Sequence, residues 1–205
     1  MRDFKRLIAG FAVSGAGVKS LSGSEAFQGT LPELASAVCA AGADQVLILD
    51  ASLGDDEHEQ VIGMIKETAR QVDEPIFAGG RVKRLEDVKK YLYAGASAVF
   101  LDGDIPEQVD LIKEASDRFG PEKIYVRLPG PEWISKAPEY AGLGAWGIIL
   151  TGGQGEDLSQ DFIEDRESKK LRWILAGGCA AKDVELAGAL LSGGALWGLA
   201  PELTA

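Results

Sequence analysis

The chain has 205 residues, of which 46% are hydrophobic and 26% are charged, so it can bury the core of one globular domain. Its formal net charge of −11 at pH 7 argues against nucleic acid and anionic membranes as partners, because both would repel it. No apolar run approaches the roughly 20 residues of a membrane-spanning helix, and we expect no signal peptide at the short, mixed N-terminus.

Strands and helices alternate along the chain. The first predicted strand, 6–13, is followed by an aperiodic stretch, 14–29, which is long for a loop and is therefore expected to be functional or mobile. Thr30 is the predicted cap of the next helix, which has Pro32 in its first turn and ends at Gly42. Short strands that are apolar on both faces are predicted at 45–49, 75–77, 98–101, 123–128, 146–150, 172–175 and 195–199. Helices are predicted to begin near residues 55, 85, 106, 133 and 161.

Eight such strands with helices between them predict a (βα)8 barrel, also called a TIM barrel, as a single domain over residues 1–205. Only 200–205 follow the last predicted strand, so the final helix is expected to be missing. Two explanations remain open: the last strand is covered by something else, or the chain is the N-terminal module of a longer protein.

A strand–helix–strand unit recurs in the two halves of the chain. In the first half, Gly79 and Gly80 follow an apolar strand, a helix-period segment comes next, and the following strand ends at Asp102 and Gly103. The stretch 176–198 has the same order of features. This repetition predicts that the barrel is built from two half-barrels.

The cysteines and the histidine limit the metal and redox chemistry that the sequence predicts. Cys39 and Cys179 lie far apart in apolar surroundings, which fits a reducing cytoplasm better than a disulfide framework. His58 is the only histidine and lies in an acidic run, which is typical of a solvated helix face. These residues have no metal-ligand spacing, so we expect neither a metal nor another cofactor.

Four runs of residues resemble a known family. They are 45–50, the segment GGRVKRLEDV at 79–88, AGASAVFLDG at 94–103, and 117–126. Together they are similar to the two sugar-phosphate barrels of histidine biosynthesis, the phosphoribosylformimino-AICAR-phosphate isomerase and the cyclase subunit of imidazole-glycerol-phosphate synthase. The opening FKRLIAGFAV is nearer the cyclase. The resemblance is strongest over 30–126 and thin after Thr151.

The chain departs from this family at the positions that carry its chemistry. The resemblance implies an aspartate at the end of the first strand and another at the end of the fifth, as general acid and base. Ala12 and Pro129 occupy these two positions here, and neither can transfer a proton. The resemblance also implies a phosphate loop after the sixth strand, which 152–156 replace with a glycine-rich segment. Asp50 and Asp102 are the remaining candidate catalytic carboxylates.

Phosphate-binding residues are also implied by the resemblance, through backbone N–H groups at the starts of helices. The candidate positions are Gly79, Gly80, Arg81, Gly103, Gly177, Gly178, Gly198, Leu199 and Ala200. The alternative is that the glycine pairs only form tight turns between strand and helix. Lys19 matches a lysine position of the cyclase, although a mobile surface lysine is the simpler interpretation.

Arg127 is predicted to point into the barrel, because it has the strand parity of Pro129. It could bind the phosphate or carboxylate of a ligand together with Arg81. Alternatively, an ion pair between Arg127 and Asp50 fills the vacated active site, and we favour this second interpretation because it needs no ligand.

Two functions follow from this pattern. The favoured one is a catalytically degenerate histidine-biosynthesis barrel, acting as a phosphate-ligand-binding or assembly module that could be fused to another enzyme of the pathway. The alternative is an active isomerase or cyclase acting on a phosphoribosyl-aminoimidazole-carboxamide intermediate with replaced catalytic residues. The expected partners are a sugar phosphate, other histidine-pathway domains or a second copy of the chain. A working cyclase would also imply a glutaminase partner.

Overall fold

A computed structural model describes residues 7–21, 26–151, 171–176 and 189–192 of the chain. The strands are β1 Leu7–Ser14, β2 Gly17–Ser20, β3 Gln45–Asp50, β4 Ile76–Gly79, β5 Ala98–Asp102, β6 Ile124–Leu128, β7 Gly147–Leu150, β8 Arg172–Ala176 and β9 Ala189–Ser192. The α-helices are α1 Leu31–Ala40, α2 Asp55–Thr68, α3 Leu85–Tyr93, α4 Pro106–Phe119 and α5 Ala137–Gly142. Two 3₁₀-helices cover Pro121–Lys123 and Pro131–Lys136.

Eight parallel strands form one closed sheet. The strand order is β1, β3, β4, β5, β6, β7, β8 and β9, and β9 pairs with β1 to close the ring. Four helices, α1 to α4, each follow one of the parallel strands β1, β3, β4 and β5 and cover the outside of the sheet. The predicted (βα)8 barrel is therefore confirmed.

The strand that closes the barrel differs from the predicted one. The sequence predicts it at 195–199, whereas the structure uses Ala189–Ser192, whose Ala-Leu-Leu run is equally apolar. Period-2 patterns cannot distinguish two neighbouring apolar runs of this length, so register with β1 decides. The predicted strand 195–199, the predicted helix near 161 and the question of a final helix lie outside the described residues.

The aperiodic stretch after β1 contains a strand that the sequence analysis did not predict. β2 turns back on β1 as an antiparallel hairpin, with Ala12 opposite Lys19 and Ser14 opposite Gly17. Gly17 has a φ of +116°, a left-handed conformation that favours glycine in such a tight connection. Its four residues, GVKS, are too few to give a strand signal by themselves.

Helix starts agree better with the sequence. Thr30 caps α1 with a capping box, in which the Glu33 amide donates to Thr30 Oγ1 and the Thr30 amide donates to Glu33 Oε2 at 2.9 Å. Pro106 lies in the first turn of α4, as predicted. The short helix predicted near 133 is a 3₁₀-helix that continues as α5.

The core has two layers, separated by the sheet. The inner layer fills the barrel with Ile8, Leu47, Phe77, Ala98, Phe100, Tyr125, Ile149 and Ile174. The larger outer layer packs the opposite faces of the strands against the helices. Alternate residues of each strand therefore face the barrel interior, and the residues between them face the helices. Among the described residues, no helix is long and apolar enough to cross a membrane.

Candidate functional site

The carboxyl ends of β5 and β6 place an ion pair at the mouth of the barrel. Asp102 and Arg127 are direct neighbours in the strand register and share the inward parity of Phe100 and Tyr125. Arg127 Nε donates to Asp102 Oδ1. The Asp102 side chain is 3% exposed and the Arg127 side chain 19% exposed, so the guanidinium lies nearer the opening. The prediction that Arg127 points inward is confirmed.

Burial changes the acidity of Asp102. Removal from water raises the pKa of the carboxyl above its ordinary value, and the hydrogen bond and charge of Arg127 only partly oppose this effect. Gln108 of α4 fixes the strand end, because its Oε1 accepts a hydrogen bond of 2.8 Å from the Asp102 amide. Asp102 therefore retains its proton to a higher pH than a solvated aspartate.

Ala12 and Pro129 occupy the two positions at the mouth where the resemblance implies aspartates. Ala12 has the inward parity of Ile8 on β1 and is 8% exposed. Pro129 directly follows β6 and is half-buried. Lys19 is exposed and is the register partner of Ala12 across the hairpin. The mouth thus has cationic groups near two positions that lack a proton-transferring side chain.

The predicted ion pair between Arg127 and Asp50 is wrong. Asp50 has the parity of Ile48, which faces the helices, so its carboxylate lies in the outer layer and is fully buried there. Asp50 Oδ2 lies 2.6 Å from His58 Nδ1 of α2 and accepts a hydrogen bond of 2.8 Å from the Tyr91 hydroxyl of α3. Asp50 therefore connects two helices to the barrel and does not reach its mouth.

His58 is buried, which contradicts its assignment to a solvated helix face. It is 4% exposed, and its ring meets the ring of Tyr91 edge to face with centroids 5.6 Å apart. Two effects, burial first and the nearby Asp50 carboxylate second, raise the pKa of Tyr91 well above its ordinary value. Asp55, Asp56 and Glu59 are exposed, while His58 itself lies on the inward stripe of α2 with Val61 and Ile65.

Arg81 lies in a cleft between α2 and α3, where it donates hydrogen bonds to the loop after β3 and to the start of α2. Its two terminal nitrogens donate to the Ser52 carbonyl oxygen at 2.9 Å and to Asp55 Oδ1 at 2.6 Å. Arg127 is engaged by Asp102 instead. The structure therefore gives the two arginines separate partners and does not support a single anion site made by both.

The glycines proposed for phosphate binding in the first half have packing reasons of their own. A Cβ on Gly79 would lie 2.1 Å from the Phe100 carbonyl oxygen, so β4 and β5 could not approach each other. Gly80 has a φ of +108°, which a side chain rarely adopts. Gly103 donates to the Arg127 carbonyl and accepts from the Tyr140 hydroxyl. Gly177, Gly178, Gly198, Leu199 and Ala200 lie outside the described residues.

Cys39 lies in apolar surroundings, as its sequence context predicts. Cys39 lies on α1 and packs against the outer core. Desolvation, with a smaller contribution from Glu74, raises the pKa of its thiol to about 12. Such a thiol is a poor nucleophile at neutral pH. Cys179 lies outside the described residues.

Three curated proteins are similar in sequence to part of this chain. The imidazole glycerol phosphate synthase subunit HisF of Thermosynechococcus vestitus is 36% identical over 122 residues, which are 60% of this chain and 42% of that protein. The HisF proteins of Trichormus variabilis and Synechocystis are 34% and 32% identical, over 60% and 64% of this chain and 46% and 48% of their own lengths. The chain thus matches slightly less than half the length of these curated relatives.

A solved structure supports the same fold. Phosphoenolpyruvate phosphomutase from Streptomyces platensis subsp. rosaceus superposes with a TM-score of 0.68 over 98% of this chain and 80% of that chain, at 16% sequence identity. At this identity the likeness concerns the fold alone. The family model described as "Histidine biosynthesis protein" matches residues 7–131, which is more than half of the chain. The chain therefore belongs to the histidine biosynthesis protein family.

Proposed function

We infer that this chain is a histidine-biosynthesis barrel that binds a phosphorylated ligand at its mouth without the acid–base chemistry that the resemblance implies. The observation that carries the proposal is the pair of residues near the carboxyl ends of β1 and β6. They are Ala12 and Pro129, and an alanine and a proline cannot exchange protons with a substrate. Binding without turnover needs neither position.

Cationic groups at the mouth support an anionic ligand. Lys19 is exposed on the hairpin beside Ala12, and Arg127 lies on the mouth side of its ion pair with Asp102. The Asp102 carboxylate has a raised pKa, so its charge is more readily lost when an anion approaches. A phosphate could therefore bind Arg127 and Lys19 while Asp102 takes up a proton.

Thermal melting with a sugar phosphate tests this proposal. A ligand at 100 times its dissociation constant stabilises the folded state by about 2.7 kcal/mol, which shifts the midpoint by several degrees. We expect ribose 5-phosphate or imidazole-glycerol phosphate to give such a shift. Arg127→Gln should give a smaller shift than the wild type, measured relative to the midpoint of the same variant without ligand.

Lys113→Gln is the matched control. Lys113 is an exposed cation on α4 that pairs with Asp117 one turn away, outside the mouth. This variant should keep the full shift. A folded wild-type protein that shows no shift with either sugar phosphate would overturn the proposed binding at the mouth.

The buried Asp102 favours a second candidate, an active isomerase or cyclase with replaced catalytic groups. A carboxyl with a raised pKa at a barrel mouth can donate a proton nearer neutral pH than an ordinary aspartate. Asp50 is a poor second group, because its carboxylate lies among the helices. Turnover of a phosphoribosyl-aminoimidazole-carboxamide intermediate that is lost in Asp102→Asn would favour this candidate. Sugar-phosphate binding without turnover would favour the first.

An assembly role belongs to the same proposal. The similar proteins are named as subunits of imidazole glycerol phosphate synthase. A partner domain of the histidine pathway, in the same chain or another, is therefore the partner that we propose, in the cytoplasm. Co-purification of the chain with such a domain, measured by size-exclusion chromatography with light scattering, tests this role. A chain that elutes alone in its presence would contradict it.

A further inference from the structure

The cleft between α2 and α3 has a volume of about 400 Å³ and a strongly charged wall. It is lined by Asp55, His58, Glu59, Arg81, Lys83, Arg84, Asp87 and Lys90. Four cationic side chains face three carboxylates, so the cleft carries a positive excess in a chain whose net charge is −11. The surrounding field repels anions, and a local positive site is what an anionic ligand would require.

The carboxylates of the cleft are already compensated. Asp55 pairs with both Arg81 and Lys83, and Glu59 pairs with Lys90. Asp87 Oδ2 accepts hydrogen bonds from the backbone amides of Lys83 and Arg84. These interactions leave the carboxylates little capacity to repel a bound anion.

The arginines differ in how firmly they are held. Arg81 has a side chain only 15% exposed and is fixed by two hydrogen bonds, so its guanidinium forms a rigid part of the wall. The Arg84 side chain is 72% exposed, and its Nε lies 3.9 Å from Asp87 Oδ1, which is too long for a hydrogen bond. Arg84 can therefore turn to a ligand without breaking a strong interaction.

His58 supplies a buried polar atom without a partner. Its Nδ1 faces Asp50 at 2.6 Å, so Nε2 lies on the edge of the ring turned away from that carboxylate. Nε2 is buried and has no hydrogen-bond partner among the described residues. His58 is one of the residues that line the cleft, so a ligand bound there is our proposed source of the missing hydrogen bond.

We propose that the α2–α3 cleft binds a phosphate group that carries or adjoins a hydroxyl, either as inorganic hydrogen phosphate or as a phosphorylated polyol. Phosphate oxygens match the forked donors of Arg81 and Arg84. A hydroxyl can donate to Nε2 of a neutral His58, and an unprotonated oxygen can accept from a charged one. This site is separate from the barrel mouth and does not depend on binding there.

The single histidine of the chain makes the test specific. The imidazole carbon-bound protons of His58 give one set of NMR signals, and these can be followed while inorganic phosphate or glycerol 3-phosphate replaces chloride at constant pH and ionic strength. We expect a saturable shift with at least one of the two probes. The tighter of the two identifies the ligand as free phosphate or as a phosphate ester.

Three variants locate the response. Arg84→Gln should weaken binding about tenfold, the effect of losing one charge-assisted hydrogen bond. Lys113→Gln on α4 removes an equally exposed cation outside the cleft and should leave the affinity unchanged. Arg127→Gln should also leave it unchanged, which separates this site from the proposed mouth site.

Two results would overturn the proposal. One is a shift that rises linearly through millimolar concentrations of both probes without saturation. The other is an unchanged affinity in Arg84→Gln while the variant remains folded. Loss of binding in Arg127→Gln alone would assign the response to the mouth of the barrel and would also count against a site in the cleft.

Discussion

Asp102 is subject to two opposing influences at the scale of a single residue. Desolvation favours its protonated form, and Arg127 favours its ionised form, with desolvation the larger effect. Because the pKa is higher in the folded than in the unfolded protein, folding takes up a proton between the two values. The stability from this uptake is fully present below the unfolded pKa and is lost as the pH rises through the folded pKa.

The ion pair has the opposite pH dependence. Arg127 stabilises only the ionised form of Asp102, so the stability difference between the wild type and Arg127→Gln should be largest at neutral pH. It should shrink as the pH falls through the raised pKa of Asp102, at a higher pH than an ordinary aspartate would give. Urea unfolding of both proteins over this pH range measures the difference. A difference that stays constant down to the ordinary aspartate pKa would contradict the raised value.

The residue scale is also where prediction from sequence succeeds and fails most clearly. The parity of Arg127 predicted its inward direction correctly, because strand period alone determines it. Its partner was predicted wrongly, because Asp50 ends β3 one residue beyond the inward position of Leu49. His58 was missed for a related reason: charged neighbours dominate its local composition, and only the helical period of α2 places it on the buried stripe.

At the scale of elements, Asp50, His58 and Tyr91 join β3, α2 and α3 through one buried carboxylate. The Tyr91 hydroxyl donates to Asp50 at 2.8 Å, and His58 approaches the same oxygen. The Ser52 amide donates to the other oxygen at 3.0 Å. These contacts hold the start of α2 and the body of α3 against the sheet, on the side where the α2–α3 cleft lies.

Tyr91→Phe measures this connection. The substitution removes a hydrogen bond to a buried charged group and should lower the free energy of unfolding by about 1.5–3 kcal/mol. Tyr93→Phe is the matched control on the same helix, because Tyr93 is 77% exposed and its change should stay within about 0.5 kcal/mol. Urea unfolding measures both variants. Equal effects would mean that the hydroxyl of Tyr91 does not support the contact.

The order of the elements was predictable over the part of the chain with strong periodicity. The helices α1 to α4 begin close to the residues that their caps and prolines indicate. The hairpin strand β2 was not predictable, because its pairing partner, β1, and not its own composition makes it a strand. Likewise, β9 becomes a strand at 189–192 because it meets β1 in register across the closed ring.

At the scale of the whole molecule, a substitution at Gly79 distinguishes the two interpretations of the glycine pairs, which are phosphate binding and a steric role in the fold. A Cβ on Gly79 would lie 2.1 Å from a backbone oxygen of β5, which can move only if the strand moves. Gly79→Ala should therefore lower the free energy of unfolding by about 1–3 kcal/mol or more in the absence of any ligand. If Gly79 served phosphate binding alone, this substitution would leave the unliganded protein as stable as the wild type.

Gly63→Ala is the matched control for this experiment. Gly63 lies within α2 and has nothing within 4 Å of an added Cβ. Alanine there should raise the free energy of unfolding by about 1 kcal/mol, because it favours the helix. Thermal or urea unfolding of the two variants compares the same chemical change in an open and a closed environment. Destabilisation by Gly63→Ala would show that a general effect of the substitution, and not the contact with β5, is being measured.

The way in which β1 is covered bears on how the chain behaves during synthesis. One edge of β1 pairs with β3, and the other is shared, with Leu7–Gly10 paired to β9 and Phe11–Ser14 paired to β2. The Phe11–Ser14 part of this edge pairs with β2, which follows it within a few residues in the sequence. The Leu7–Gly10 part can pair only after Ala189–Ser192 have been synthesised. At about 5–20 residues per second these residues emerge from the ribosome roughly 10 to 40 s later. During that interval a short apolar edge of β1 is open to other strands, and a chaperone that shields it would raise the yield of folded barrel.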